Sequence, residues 1–537
     1  MSSSSSTYAA ARRGPSEPGQ PSRGTGLQAL ALPVVCGSLL LAAAFVFYRG
    51  HPGLFPAFAG AGGFLLAWAA LLAWAPERRG LVMDVAVRKH HWVQALAQIT
   101  VLFYWGWHVR FVYAFLPLIV AQIVFAYGVD SLLAWTRRGK YALGFGPFPV
   151  IMSINLFLWV RPEWFYWQFA MILVGYLGKD LIRWQRDGRS AHIFNPSSFP
   201  LAVFSAALIL TGTTDITLGQ AIASSQYYPP NMYLVIFLAA LPGQLLFGVA
   251  RMTMPAVITA YLISVVHFQI DGTYLFFDSH IPVPVFLGMH LLFTDPSTSP
   301  RSDGGRILFG VIYGGLVAIL YVALGAAGIS TFYDKLLPVP FMNLMVRRID
   351  RLVSGPAAAP PPTARQPPAP ATARRRNLAY TSAWALVFAG LAAVQGVGDR
   401  HPGQALPFWQ EVCLEGNNAR ACDYAEAMTR FYCQDGSGWA CNEVGFLTAE
   451  AGRDPTAVFR RSCDLGFQPG CENAQLAVEG PSALARMGRA PPTLEDLPVL
   501  LRGTKRPLVG WSAEALHARA CDHGWTSVCE AGIAGTS

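Results

Sequence analysis

The sequence predicts an all-α protein: a polytopic helical membrane bundle of about 11–13 spans, followed by a disulfide-stapled, α-solenoid-like helical repeat domain. Three observations predict it. Of 537 residues, 53% are hydrophobic and only 13% charged, about half the roughly 25% charge of a soluble domain, and mean hydropathy is +0.36. The apolar residues gather into runs near the roughly 17–25 residues that cross hydrocarbon. Eight of the nine cysteines fall after residue 400, where the composition turns polar.

Residues 1–27 are Ser, Pro, Gly and Arg without apolar period, so they read as a disordered cytoplasmic tail. The run that follows is longer than a signal-peptide core and has no small-residue cleavage pattern behind it, so it is expected to stay as the first membrane helix. The membrane domain extends over 28–350, with apolar runs at 28–48, 54–74, 92–109, 111–135, 145–161, 164–184, 198–213, 232–250, 254–270, 281–294 and 306–327. The runs at 198–213 and 281–294 are short, which suggests broken or re-entrant helices inside the bundle. A weaker piece at 333–346 carries two prolines. A Pro/Ala/Arg-rich linker, 351–378, reads as extended and leads to a last span at 379–396.

If the N-terminus is cytoplasmic and all thirteen segments cross, about twenty Lys and Arg fall in inside loops, from Arg78 and Arg79 through Arg137, Arg138, Arg186, Arg306 and Arg347 to Arg374–Arg376. Only Arg49, Arg110, Arg161 and Lys335 fall outside. That bias orients a multi-pass protein in a bacterial cytoplasmic membrane. It also accounts for the net charge of +9 without nucleic acid as a partner. The C-terminal domain, 400–537, is then periplasmic.

There the cysteines stand in pairs with seven or eight residues between the partners and Gly in every interval: Cys413 with Cys422, Cys433 with Cys441, Cys463 with Cys471, and Cys521 with Cys529. A helix ending near the first cysteine, a turn, and a helix starting near the second bring the thiols together across an αα-hairpin. An even count in an oxidising compartment reads as four disulfides; zinc would want two to four intervening residues. FRRSCDLGFQPGCENA and HARACDHGWTSVCEAG resemble the Sel-one-like repeats, relatives of tetratricopeptide repeats. The resemblance implies a helical repeat array that binds a protein partner.

Two polar turns interrupt the greasy sequence: HIFNPSSFP (192–200) and FTDPSTSPRSDGGR (293–306). Asn195-Pro196 has the pattern of a helix N-cap followed by Pro at the first position. Asp295-Pro296, with Ser297, Thr298 and Ser299, is expected to do likewise. The plain reading is two capped helix starts; the functional reading is a polar site where discontinuous helices meet. These turns resemble the NqrB/RnfD family, membrane subunits of the sodium-pumping NADH:quinone oxidoreductase and of the Rnf electron-transport complex. The resemblance runs over about 90–350 and rests on Asn195, Pro196, Thr294, Asp295, Pro296, Thr298, Ser299, Pro300, Gly305 and Arg306. It implies a lipid-embedded subunit of a redox complex that binds flavin, often FMN joined to a threonine through a phosphodiester, and quinone. The matching threonine here is Thr214, in Thr211-Gly212-Thr213-Thr214, where the family motif has alanine at the position of Thr213; the alternative is a plain hydroxyl-rich loop.

Remaining candidates are His290, read as a hydrogen-bonded structural histidine; His90-His91, an interfacial basic patch; and Asp130, expected to pair locally. No hydrolase triad, phosphate loop, nucleotide fingerprint or NADH site is legible. Three readings stay open: a redox-linked subunit that relays electrons and couples them to transmembrane transport, a flavin-less relative acting as permease or scaffold, and an anchor whose repeat domain does the work.

Overall fold

The computed structural model describes residues 22–24, 30–74, 81–186, 188–354, 370–395, 401–480, 485–501 and 512–529. Among the described residues the protein is mostly helical, and each of the thirteen apolar segments contains a helix. Helices α1 (Ala31–Tyr48) and α2 (Leu54–Trp74) form a hairpin in which Gly37 and Gly62 lie face to face. Then come α3 (Lys89–His108), a single turn α4 (Phe111–Ala114), α5 (Leu116–Leu133), α6 (Pro147–Phe157), α7 (Tyr166–Leu181) and α8 (Ser198–Thr211). A short α9 (Gly219–Ser225) precedes α10 (Met232–Phe247), α11 (Ala250–Asp271), α12 (Val283–Leu291), α13 (Asp303–Ala326), α14 (Pro338–Ser354) and α15 (Pro370–Gln395). Among the described residues, six helices are long and apolar enough to cross a membrane: α1, α2, α5 extended by a π-turn to Arg138, α11, α13 and α15.

Strand is minor. β1 (Ser22–Gly24) pairs antiparallel with β2 (Leu81–Val85), which pairs parallel with β3 (Lys140–Leu143), and β4 (Arg183–Arg186) forms a hairpin with β5 (Arg189–His192). β1 corrects the expectation of a wholly disordered tail: its backbone finds a partner on the free edge of β2. The rest of that tail lies outside the described residues. Two further corrections concern proline. Pro338 and Pro340 do not interrupt a helix but open one, since Pro at the first turn gives up no hydrogen bond. Likewise the linker does not run to 378, because Pro370 opens a helix whose Ala and Arg residues are good helix formers; residues 355–369 lie outside the described residues.

The bundle consists of two inverted halves. In the first, α3, α5, the half-length α6, α7 and α8 follow one another; in the second, α10, α11, the half-length α12, α13 and α14 do. The halves lie antiparallel. The Tyr104 hydroxyl, near the end of α3, donates to the Pro230 carbonyl just before α10 (2.5 Å), while His90, at the start of α3, meets Phe247 at the end of α10. At α8 and α14, Thr217 meets Tyr333 at one end and Arg347 donates to the Gln185 carbonyl at the other. A faint internal repeat accompanies this. Pro147-Phe-Pro149-Val150 opens α6 and Pro282-Val-Pro284-Val285 opens α12; Leu158-Trp159 followed by Pro162 matches Leu292-Phe293 followed by Pro296.

Each half-length helix ends inside the bundle and continues as irregular chain. Phe157, the last residue of α6, lies near Gly288 of α12. Irregular backbone is tolerable there only if every polar group has a partner. Side-chain amides supply them: Gln168 brackets Leu158 O (3.2 Å) and Val160 N (3.1 Å), Gln226 donates to Leu156 O (2.7 Å), and Asn195 donates to Leu292 O (3.0 Å). The aromatic after each break stacks within its own half, Trp159 on Phe115 (4.2 Å) and Phe293 on Tyr313 (4.2 Å).

The C-terminal domain holds α16 (Leu406–Gly416), α17 (Ala419–Gln434), α18 (Gly438–Glu450), α19 (Thr456–Asp464), α20 (Gln468–Val478), the single turn α21 (Leu497–Leu500) and α22 (Ala513–Asp522). All four cysteine pairs are disulfides. Cys413 joins Cys422 with Cα atoms 4.7 Å apart, Cys433 joins Cys441 at 4.5 Å, Cys463 joins Cys471 at 4.4 Å, and Cys521 joins Cys529 at 5.4 Å. One detail differs from expectation, because the second cysteine does not open its helix. Cys422, Cys441 and Cys471 each stand fourth in α17, α18 and α20, and Cys529 is the last described residue. The first turn goes to capping instead: Asn418 accepts from Ala421 N and Ser437 from Ala440 N. Cα–Cβ bonds tilt toward a helix's N-terminus, so a cysteine one turn in still reaches back to the preceding helix.

Cys441 is fully buried in this domain's core, and replacing Cys433 and Cys441 together by serine should cost about 2–3 kcal/mol on the chain-entropy model. A fall in the unfolding temperature of the domain without reductant, absent when wild type and variant are compared in reductant, checks it.

Candidate functional site

The polar turns that stand about 100 residues apart in sequence interlock at one end of the bundle. Asn195 Oδ1 accepts from the amides of Ser197 (2.9 Å) and Ser198 (3.3 Å) at the entry to α8, but α8 starts at Ser198, so Pro196 stands before the helix and not at its first position; the Asn195 Nδ2 reaches the break after α12. Asn343 of α14 joins both turns: its Oδ1 accepts from Asn195 N (3.1 Å) and its Nδ2 donates to Thr298 O (3.1 Å). Thr294 donates back to His290 O (2.7 Å), Pro196 follows the cap, and the Ser299 carbonyl accepts from Arg186 (3.0 Å). Arg306 reaches Pro300 O (3.0 Å) and, across to the other hairpin, Phe247 O and Gly248 O (both 3.1 Å).

Asp295 departs from expectation. Its carboxylate accepts from Ser297 N (2.9 Å), the Ser297 hydroxyl (2.7 Å) and Thr298 (3.3 Å), but no helix follows. Asp295 closes a turn, and α13 starts later, at Asp303, capped by Ser302, whose hydroxyl accepts from Gly305 N (3.1 Å). Asp350 of α14 takes the Ser302 hydroxyl (2.7 Å) and pairs with Arg186 (3.6 Å). His192 Nε2 stands 3.1 Å from the Ser297 hydroxyl, and burial holds its imidazole below the ordinary value although Asp295 pulls the other way.

At this same end lie the other basic loops. Asp130 pairs with Arg138 (2.7 Å), as expected, and Arg251 and Arg376 both meet Asp303. His290 is buried with Nδ1 on Phe286 O (2.7 Å), a structural contact; in the internal repeat it takes the place of Asn155, whose amide pairs with Gln122 (2.7 Å).

Thr214 lies apart from the turns, at the opposite end. It is half-exposed in a single 3₁₀ turn, Thr214–Ile216, where its carbonyl accepts from the Thr217 hydroxyl (2.9 Å). A cavity of about 370 Å³ is walled by Tyr227, Phe276, Phe277, Tyr321, Phe332 and Tyr424, with the buried pair Asp334–Lys335 (3.2 Å), in the turn before α14, at its side; Thr214 is not among its lining residues. Burial pushes the Asp334 carboxyl up, to about 6, against the pull of Lys335. Tyr424 belongs to the C-terminal domain, which grips the cavity's rim. The Arg420 guanidinium donates to Tyr274 O (3.1 Å), Leu275 O (2.7 Å) and Thr273 Oγ1 (3.2 Å) and lies over Phe277, itself held at φ 59° and stacked on Tyr424.

Sequence reasoning missed Asn343, Asp350, Arg186 and the Asp334–Lys335 pair. The signal for the last was available, since adjacent opposite charges between two apolar runs mark a buried or functional pair. No protein-family model matches the chain, and no curated protein is significantly similar to it.

Proposed function

We propose that the chain is an integral membrane subunit of an electron-transport system, of the NqrB/RnfD kind, that binds flavin and/or quinone and relays electrons for partner subunits. The observation that supports this reading is that the two turns on which the resemblance rests meet at one end of the bundle, where Asn343 bonds both Asn195 and Thr298. In this reading the basic end is cytoplasmic and the Thr214 end periplasmic, where Thr214 would carry FMN through a phosphodiester. Flavin supplies the one- and two-electron chemistry when bound; the chain's part is to hold the ring and exclude water. The C-terminal domain is then a periplasmic, Sel-one-like module for a protein partner.

Thr214→Ala tests this. Protein purified from its native membrane and denatured should keep flavin fluorescence in a gel, with the added mass on the peptide holding Thr214, and the variant should lose both. Wild-type protein without covalent flavin, from a host that flavinylates other proteins, would move the reading to a permease or scaffold. One observation favours that second reading: broken helices from inverted halves, meeting inside a bundle, are how many transporters build a substrate path.

A further inference from the structure

Residues 485–495 cross the C-terminal domain as a largely exposed strip that contributes only Ala490 to the packing around its core. Polar contacts hold it instead. Asn473 of α20, itself buried and bonded to Asn442 of α18 (2.8 Å), clamps the backbone of Gly488 from both sides, donating to its carbonyl (2.8 Å) and accepting from its N–H (3.0 Å). Arg489 forks between Glu443 (2.6 Å) and Glu450 (3.0 Å) with its guanidinium 4.5 Å over the Phe446 ring. Pro491 and Pro492 then border a cavity of about 430 Å³ walled by Trp439, Trp525, Glu411 and Gln410, in which the two indoles meet edge to face. Beyond it, Asp496 pins the strip to Trp439 N (3.0 Å) and the Ser437 hydroxyl (2.7 Å).

An amide that reads a backbone N–H and C=O together is indifferent to sequence. Two carboxylates beneath a ring select a guanidinium, and paired tryptophans suit proline in extended chain. We infer that the groove over α18 and α20 is a peptide-binding site for an extended segment of a partner protein carrying Gly-Arg and then prolines, and that the chain's own 487–492 occupies it in cis. Charge complementarity favours this occupant: Glu411, Glu443 and Glu450 all border the groove. Because the resident strip is tethered, its effective concentration is in the millimolar range, and a partner enters readily only when the strip's hold is weakened.

The test uses the full-length protein in detergent and a fluorescein-labelled synthetic peptide with the sequence of residues 486–494. Arg489→Ala in the chain removes the resident guanidinium and leaves the groove intact. Fluorescence anisotropy should show the peptide binding this variant at least ten-fold more tightly than wild type. A peptide with alanine in place of Arg489, keeping Arg486, should lose that gain, and so should Glu443→Gln with Glu450→Gln added to the variant. An Arg489→Ala protein that keeps its four disulfides and helicity but takes up no peptide, or takes up both peptides equally, overturns the proposal. Concentration-dependent dimers of Arg489→Ala that the peptide does not dissociate would overturn it as well, in favour of a second copy.

Discussion

Gly310→Leu should leave α13 unable to seat on α11, with a loss of about 3 kcal/mol or more and a bundle that a protease can enter. α13 crosses α11 through Gly310 and Gly314, and a Cβ at either position would run into backbone, the carbonyl of Met252 or that of Ala256. Overpacking costs roughly 1–3 kcal/mol where side chains can move aside; a carbonyl in a helix cannot move without bending it. Glycines four apart are the usual means by which membrane helices approach this closely. Gly315 provides the control, because nothing lies within 4 Å of a Cβ there, and Gly315→Leu should be neutral. Thermal unfolding in detergent and limited proteolysis of the two variants side by side give the comparison. Equal behaviour would mean that the α11–α13 contact does not limit stability.

Asn195→Ala should be the most damaging change in the polar knot. Asn195 is buried, caps Ser197 and Ser198, and feeds the break after α12 through Leu292 O. Alanine leaves at least two amides and one carbonyl without partners, each worth about 1–3 kcal/mol when buried and unmade, so a total near 3 kcal/mol is expected. Asn195→Asp separates the two roles. It keeps the acceptor for the amides and removes the donor to Leu292 O, placing a carboxylate against a carbonyl instead. An Asp variant as stable as wild type would show that the cap matters and the bridge to α12 does not. Unfolding temperature reports the first quantity, and cleavage near the break after α12 the second.

Much of this architecture is legible in the sequence because it depends on local composition. The apolar runs, the cysteine pairs and the capping role of Asn195 all follow from residues within a few positions of one another. Reasoning failed where partners are remote. Asn343 looks like an ordinary polar residue on a helix until Asn195 and Thr298 are brought to it. Asp295 has the same local pattern as Asn195, down to a proline five residues on (Pro300 and Pro200), and a different outcome, which those neighbouring residues do not decide. Pro338 and Pro340 mislead in the opposite sense, since a proline's effect depends on whether it stands at the start of a helix or inside it. The docking of the C-terminal domain was beyond reach: Arg420 binds mostly backbone carbonyls, which leave no trace in residue identity.

The inverted halves have a consequence for how such a chain could arise. A unit of five crossings begins and ends on opposite sides of the bilayer, so joining two copies head to tail reverses the second without any rearrangement. What must then differ between the copies is the placement of lysine and arginine, because the loops that lie inside for one lie outside for the other. In this chain the basic clusters flank α3 at its start and α5 and α7 at their ends, then α10, α12 and α14 at theirs. The two halves thus differ in where their surface cations stand, while the interior keeps the same proline-led half-helix twice.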